Sequence, residues 1–244
     1  MVSLGGFIFG FDASVISGAV KFITEDFNLT DIQIGLVVGA PTLGGILTAI
    51  SGGPLSDVYG RRTMLRIVAS LYTVSAVLSA LAQSFEMLVF ARFIGGMAFA
   101  SLALAPVYIS EVAPANARGR MVSINQLNIV IGLSAAYFAN YFLLQAAANA
   151  PGWAQQLGIV DNTWRWMLGM EILPALAWFL CLLFVPESPR WLIINGRETQ
   201  GRDVLQHLTL DKPLDEEIAD IRASAHGTEG HLPPLSARVR SVLA

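Results

Sequence analysis

The charged residues of this chain are spaced so far apart that few folds remain open to it. No Asp, Glu, Lys or Arg occurs in Ile32–Ser56, Ile67–Phe85, Phe93–Ser110 or Met121–Val160. Trp166–Val185 holds only Glu171, and Val2–Val20 holds only Asp12. A helix needs about 20 apolar residues to cross a bilayer. The intervals therefore predict six membrane spans, at about 2–22, 33–55, 64–84, 87–110, 121–144 and 165–185. Six intervals of this length within one short chain do not fit the buried helices of a soluble protein. Composition agrees: 14% of the residues are charged, against about 25% in soluble domains.

The first span is not expected to be a cleaved leader, because it lacks a basic flank and carries Asp12 in its apolar stretch. The basic residues set an orientation. Arg61, Arg62 and Arg66 follow span 2, Arg118 and Arg120 follow span 4, and Arg190, Arg197 and Arg202 follow span 6. Positive residues mark the cytoplasmic side, so both termini are expected there, with the chain multi-pass in a cell (inner) membrane. Two regions result: a transmembrane bundle over 1–186 and a polar cytoplasmic segment over 187–244. In the latter, "DVLQHL" and "LDEEIADIRA" read as short amphipathic helices, "HGTEGHLPPL" reads as a linker, and "ARVRSVLA" reads as the approach to a further span.

Several chemistries have no residues to carry them. A net charge of −3 offers nothing to nucleic acid. Cys181 is the one cysteine, and His207, His226 and His231 all lie in the polar tail. No zinc-protease, paired-cysteine, phosphate-loop or Ser-His-Asp pattern occurs, so neither a metal nor an enzyme is expected.

Small residues crowd spans 2 and 4, where they allow close helix approach. Pro41, Pro106 and Pro174 lie inside spans and are assigned to helix shape. The junction of spans 2 and 3 reads Gly53-Pro-Leu-Ser-Asp57-Val-Tyr-Gly60-Arg61-Arg62. The turn is tight, and Gly60 is suited to a positive φ. Asp57 can cap a helix or pair with an arginine, giving a charged latch between helices. A plain positive anchor would need Arg61 and Arg62 but neither Asp57 nor Gly60.

This pattern resembles the major facilitator superfamily, and further motifs narrow the resemblance. They are "ARFIGG" in span 4, Pro106-Val-Tyr-Ile-Ser-Glu111-Val-Ala-Pro114 with Arg118-Gly-Arg120, "NQLNIVIG" in span 5, "WRWMLG" in span 6, and Pro186-Glu187-Ser-Pro-Arg190-Trp-Leu after it. Together they resemble the sugar porter family in its N-terminal half, over nearly the whole of Leu4–Gly196. The resemblance implies an all-α membrane protein. This chain would be the first six-helix bundle of a twelve-helix carrier plus its cytoplasmic helical segment, with a second bundle as the missing partner.

That fold is built from inverted three-helix repeats, which makes spans 1 and 4 equivalent and sets Asp12 opposite Arg92. A charge at the bilayer centre costs roughly 2.5–3.5 kcal/mol on insertion scales, and pairing offsets much of it. Burial opposes ionisation of a carboxylate, whereas a neighbouring guanidinium favours it. An Asp whose surroundings alternate between two states can therefore take up and release a proton. In the family an acid at this position accompanies proton-coupled sugar uptake, and Glu171 is a second buried acid, read first as a polar partner.

The resemblance further implies Gln126 and Phe9 as sugar contacts, with Asn125 beside them, and a cytoplasmic gate of Gly53, Asp57, Gly60, Arg61, Arg62, Glu111, Arg118, Glu187 and Arg190. The coupling ion is the proton, with no other cofactor expected. Three departures stand out. Leu133 replaces a glutamine of the symporters, Gly96-Met-Ala98-Phe-Ala100 replaces a Gly-x-Gly-x-Gly run, and the chain from Arg92 to Glu111 is one residue short, which calls for a local bulge or shift of register. The alternatives kept open are an uncoupled sugar facilitator and a non-transporting truncated product or sensor.

Overall fold

A computed structural model describes residues 1–114, 116–208 and 213–229. Six helical stretches are long and apolar enough to cross a membrane: Leu4–Phe27, Asp31–Tyr59, Arg61–Ala80, Phe85–Val112, Arg118–Asn149 and Thr163–Leu183. They coincide with the six spans expected. Local chemistry fixes their ends. Span 1 stops where Asn28 turns left-handed (φ 51°). Span 2 starts on a capping box between Thr30 and Gln33. Span 5 runs beyond its expected end at 144, because the Gln-Ala-Ala-Ala run favours helix. It stops at Ala150 (φ 43°), just before Pro151.

The helices are α1 (Leu4–Phe27), α2 (Asp31–Tyr59), α3 (Arg61–Ala80), α4 (Phe85–Met97), α5 (Ser101–Val112), α6 (Arg118–Asn149), α7 (Gly152–Gln156), α8 (Thr163–Gly169), α9 (Ile172–Leu183), α10 (Pro189–Ile194), α11 (Glu198–Gln206) and α12 (Leu214–Glu229). Spans 4 and 6 are each two helices. In span 6 the break falls at Met170–Glu171. Pro174 has no N–H, and its ring collides with the carbonyl four residues back, that of Met170. In span 4 a 3₁₀ turn, Ala98–Ala100, joins α4 to α5. A 3₁₀ helix rises about 2.0 Å per residue and an α-helix about 1.5 Å. Three residues of 3₁₀ thus gain roughly one residue's worth of length, and the turn falls within Arg92–Glu111, the stretch where a local shift is expected.

The packing repeats with a two-fold pattern. α1 runs along α6, and α4 runs along α2. α3 packs on α9, and the contact of α3 with α4 mirrors that of α1 with α8. The same symmetry governs the closest approaches. A Cβ on Gly10 would lie 2.0 Å from the Ile129 carbonyl oxygen, and one on Gly132 1.9 Å from that of Phe7. In the other pair, a Cβ on Gly44 would lie 2.3 Å from the Phe93 oxygen, and one on Gly96 1.9 Å from that of Pro41. No side chain fits at these four positions, so each helix pair meets backbone to backbone.

Two apolar clusters fill the bundle. One includes Ile8, Ala98, Ala175 and Trp178; the other includes Phe11, Leu88, Trp164 and Leu168. Beyond span 6, α10, α11 and α12 close over a small core of Ile193, Leu205 and Ile218. Arg202 ties α11 to α12 through Asp215 at 2.8 Å. α12 continues through 226–229, the start of the stretch expected to be linker; the rest of that stretch and "ARVRSVLA" lie outside the described residues.

Candidate functional site

Three charged residues lie on the seam between the two apolar clusters. On α1, Asp12 follows Ile8 of one cluster and Phe11 of the other. On α4, Arg92 falls between Leu88 and Ala98, and Glu171 falls between Leu168 and Ala175. All three are buried, at 1%, 2% and 3% exposure. Nη1 of Arg92 donates to Oδ1 of Asp12, closing an ion pair between spans 1 and 4. The pair is single-pronged: Oδ2 of Asp12 and Nε of Arg92 are buried without partners. Glu171, in the break made by Pro174, lies within electrostatic reach of both. Tyr72 bonds Ser101 (3.4 Å) close to this trio.

Phe9 is one turn before Asp12 and meets Phe99 edge to face, ring centroids 4.8 Å apart. Both line a cavity of about 550 Å³ between α1, α2 and α5, with Thr42, Thr48 and Ser56. The volume falls in the range of ligand sites, roughly 300–1,000 Å³. Gln126 is not on its wall; it is exposed on α6. Asn125 turns the other way and is buried against Gly6 of α1. Asn128 and Asn140 of α6 donate to the Ser3 and Val15 carbonyls at 3.0 Å each, so α6 is stitched along α1.

At the end that carries α10, Arg61 joins three elements. Its Nη1 donates to Asp57 at 2.6 Å and to the Ser56 carbonyl at 2.9 Å, and its Nε lies 3.2 Å from both oxygens of Glu111. Gly60 has φ +93°, and a Cβ there would press on the Glu187 carboxylate at 2.5 Å. Glu187 accepts from the backbone N–H groups of Arg62 and Ser188, both at 2.9 Å, so it caps the start of α3 from a distant segment. Arg118 donates to the Ala113 carbonyl (3.2 Å). Arg190 is exposed, and Gly53 lines the cavity with open space around its Cα.

Three further residues tie this end together; of these the sequence marked only Arg66, and only as an orienting charge. Tyr108 donates to the Pro186 carbonyl (2.9 Å), Trp191 to the Asp57 carbonyl (2.8 Å), and Arg66 to the Leu182 and Leu183 carbonyls (3.0 and 2.7 Å). Tyr108 and Trp191 do stand inside the motifs quoted above, which is the signal that could have marked them.

A family model described as sugar (and other) transporter matches residues 1–243. The chain belongs to the sugar transporter family. Among its sugar transporter relatives, a D-xylose transporter of Levilactobacillus brevis is 40% identical over 93% of this chain and 48% of its own length. An arabinose-proton symporter of Bacillus subtilis (strain 168) is 37% identical over 91% of this chain and 46% of its own. The chain spans about half the length of the curated relatives it matches. Among solved structures, the proton:xylose symporter XylE, of the major facilitator superfamily, superposes with a TM-score of 0.83 at 32% identity, covering 94% of this chain and 53% of that one. Its match lies in the N-terminal half of that fold. Members of the sugar transporter family are carriers and not enzymes.

Proposed function

We propose that the chain is the first half of a carrier that moves a monosaccharide across the membrane by proton symport, through alternating access. The buried Asp12–Arg92 pair carries this reading. Arg92 holds its charge under all physiological conditions, whereas the Asp12 carboxylate can exchange a proton, and its free Oδ2 is the atom that would receive it. Glu171 stands near as a second acid. In the bound-proton state the Asp12 contact weakens and spans 1 and 4 are freer to part; in the ionised state they are drawn together.

Relatives named for D-xylose, arabinose and glucose support a hexose or pentose as the substrate. Phe9 would pack on the apolar face of the ring, and Gln126 would offer an amide donor and acceptor to a pair of hydroxyls. Gln126 lies on an exposed face of α6, outside the cavity that Phe9 lines, and would meet a sugar only in a site completed by a second bundle. In this reading the α10 end is cytoplasmic, and the Asp57–Arg61–Glu111 latch holds one of the two access states.

The test is sugar-driven proton uptake in proteoliposomes that hold this chain with a matching second bundle. Asp12→Asn should abolish proton uptake while sugar binding persists. Unchanged proton uptake in that variant, or sugar flux without proton movement in the parent, would overturn the coupling. The first bundle alone should show no saturable flux.

A further inference from the structure

A second cavity, of about 310 Å³, opens at the α10 end, outside the latch. Its wall includes Arg62 and Arg66 of α3, Arg197 after α10, Glu187, Trp191 and Gln200. Three arginines thus share this wall with one carboxylate. That carboxylate already accepts the Arg62 and Ser188 backbone amides. Among the described residues no carboxylate lies within ion-pair distance of Arg62, Arg66 or Arg197.

Two of the three arginines are held in place. Arg66 is fixed by the Leu182 and Leu183 carbonyls through Nε and Nη2, which leaves Nη1 for another partner. Arg197 stacks over the Trp191 ring at 5.4 Å. Nε of Arg62 is buried without any partner, a state that native proteins almost always relieve with a ligand, water or ion. Arg62 and Arg66 are also one turn apart on the same helix, where like charges repel. A positive anchor facing lipid headgroups would need neither a cavity nor arginines locked by carbonyls and a tryptophan.

We propose that this cavity binds a phosphate oxyanion, presented by an acidic phospholipid headgroup or by a soluble phosphate compound. A tetrahedral oxyanion offers acceptors to several guanidinium groups at once, the geometry for which arginine is suited. Bound there, it would bridge α3 to the turn after α10 and so fasten the α10–α12 segment to the bundle. The position of the site at the start of α3, level with the end of α9, places it where lipid headgroups lie. The inference does not depend on transport or on proton coupling.

The experiment uses the 244-residue chain in detergent micelles and follows phosphorus NMR line broadening. The probes are inorganic phosphate and dihexanoyl phosphatidylglycerol, with dihexanoylglycerol as the phosphate-free control read by its own proton signals. Saturable binding of a phosphate probe is expected, displaced by sulfate and weakened at least about tenfold in Arg197→Gln and Arg62→Gln. Binding of both probes supports a site that reads the oxyanion itself; binding of phosphatidylglycerol alone assigns it to lipid, and of phosphate alone to a soluble ligand. Arg197 is exposed, so its variant should keep the parent melting temperature. Absence of saturable binding, failure of sulfate to compete, equal affinity in the folded Arg197→Gln chain, or equal binding of dihexanoylglycerol would each overturn the proposal.

Discussion

Asp12→Ala should destabilise the bundle through the residue it leaves behind. The Asp12 and Arg92 side chains are 1% and 3% exposed. Removing one partner of a buried ion pair costs about 3–5 kcal/mol, because the other charge stays buried and uncompensated. Glu171 is close enough to supply part of the missing negative charge, which puts the expected loss near the lower end, about 3 kcal/mol. Two further variants separate this cause from simple loss of packing. Asp12→Ala with Arg92→Met removes both charges and should recover most of the stability, since apolar replacements of buried pairs are often neutral or better. Asp12→Ala with Glu171→Gln strips the remaining acid and should be worse than the sum of its two single changes. The assay is urea unfolding in mixed micelles, followed by tryptophan fluorescence; Trp164 and Trp178 are buried and report on the two clusters. A loss under about 1 kcal/mol for Asp12→Ala, or a double Asp12→Ala/Arg92→Met chain as unstable as the single, would refute the reasoning.

Other outcomes follow from the same packing. Gly132→Ala and Gly96→Ala each drive a methyl group onto a backbone oxygen 1.9 Å away, and should cost about 1–3 kcal/mol or more by overpacking; Gly53→Ala, with open space around it, should leave the unfolding midpoint unchanged. Glu111→Ala should destabilise more than Asp57→Ala, because Asp57 is 45% exposed and Glu111 8%; melting in low and high salt should show the Asp57 effect staying within about 1 kcal/mol and fading with salt. Gly60→Ala, at φ +93° and against the Glu187 carboxylate, should lower the melting temperature; combined with Glu187→Ala it should still lie below Glu187→Ala alone, since the backbone strain remains.

The spans were legible because a bilayer turns the spacing of charge into length, and the same rule gave Asp12 and Glu171 as the anomalies that need explaining; Arg92 bounds a charge-free interval, and only the family resemblance paired it with Asp12. The departure between Arg92 and Glu111 pointed to the break in span 4, whereas Pro174 has the same sequence signature as Pro41 and Pro106, which lie inside continuous helices. What spacing does not carry is direction around a helix. Asn125 and Gln126 are neighbours in the chain, yet one is buried against Gly6 and the other exposed. Hydrophobicity gives no preferred face to α6, which is apolar nearly all round, so only contact with α1 decides it. Likewise Tyr108, Trp191 and Arg66 act on backbone carbonyls far along the chain, and carbonyls have no sequence signature.

The 3₁₀ turn at Ala98–Ala100 gives span 4 a joint between its two working ends. Arg92 sits on one side, joined to span 1; Glu111 sits on the other, joined to Arg61. A continuous α-helix transmits rotation from end to end, so breaking one contact would twist the other. With a short segment of different pitch between them, where the hydrogen bonds are poorer, one end can swivel while the other stays put. The ion pair in the core and the charged cluster at the rim are thus carried by two helices in series, so a change at one contact need not be passed on in full to the other.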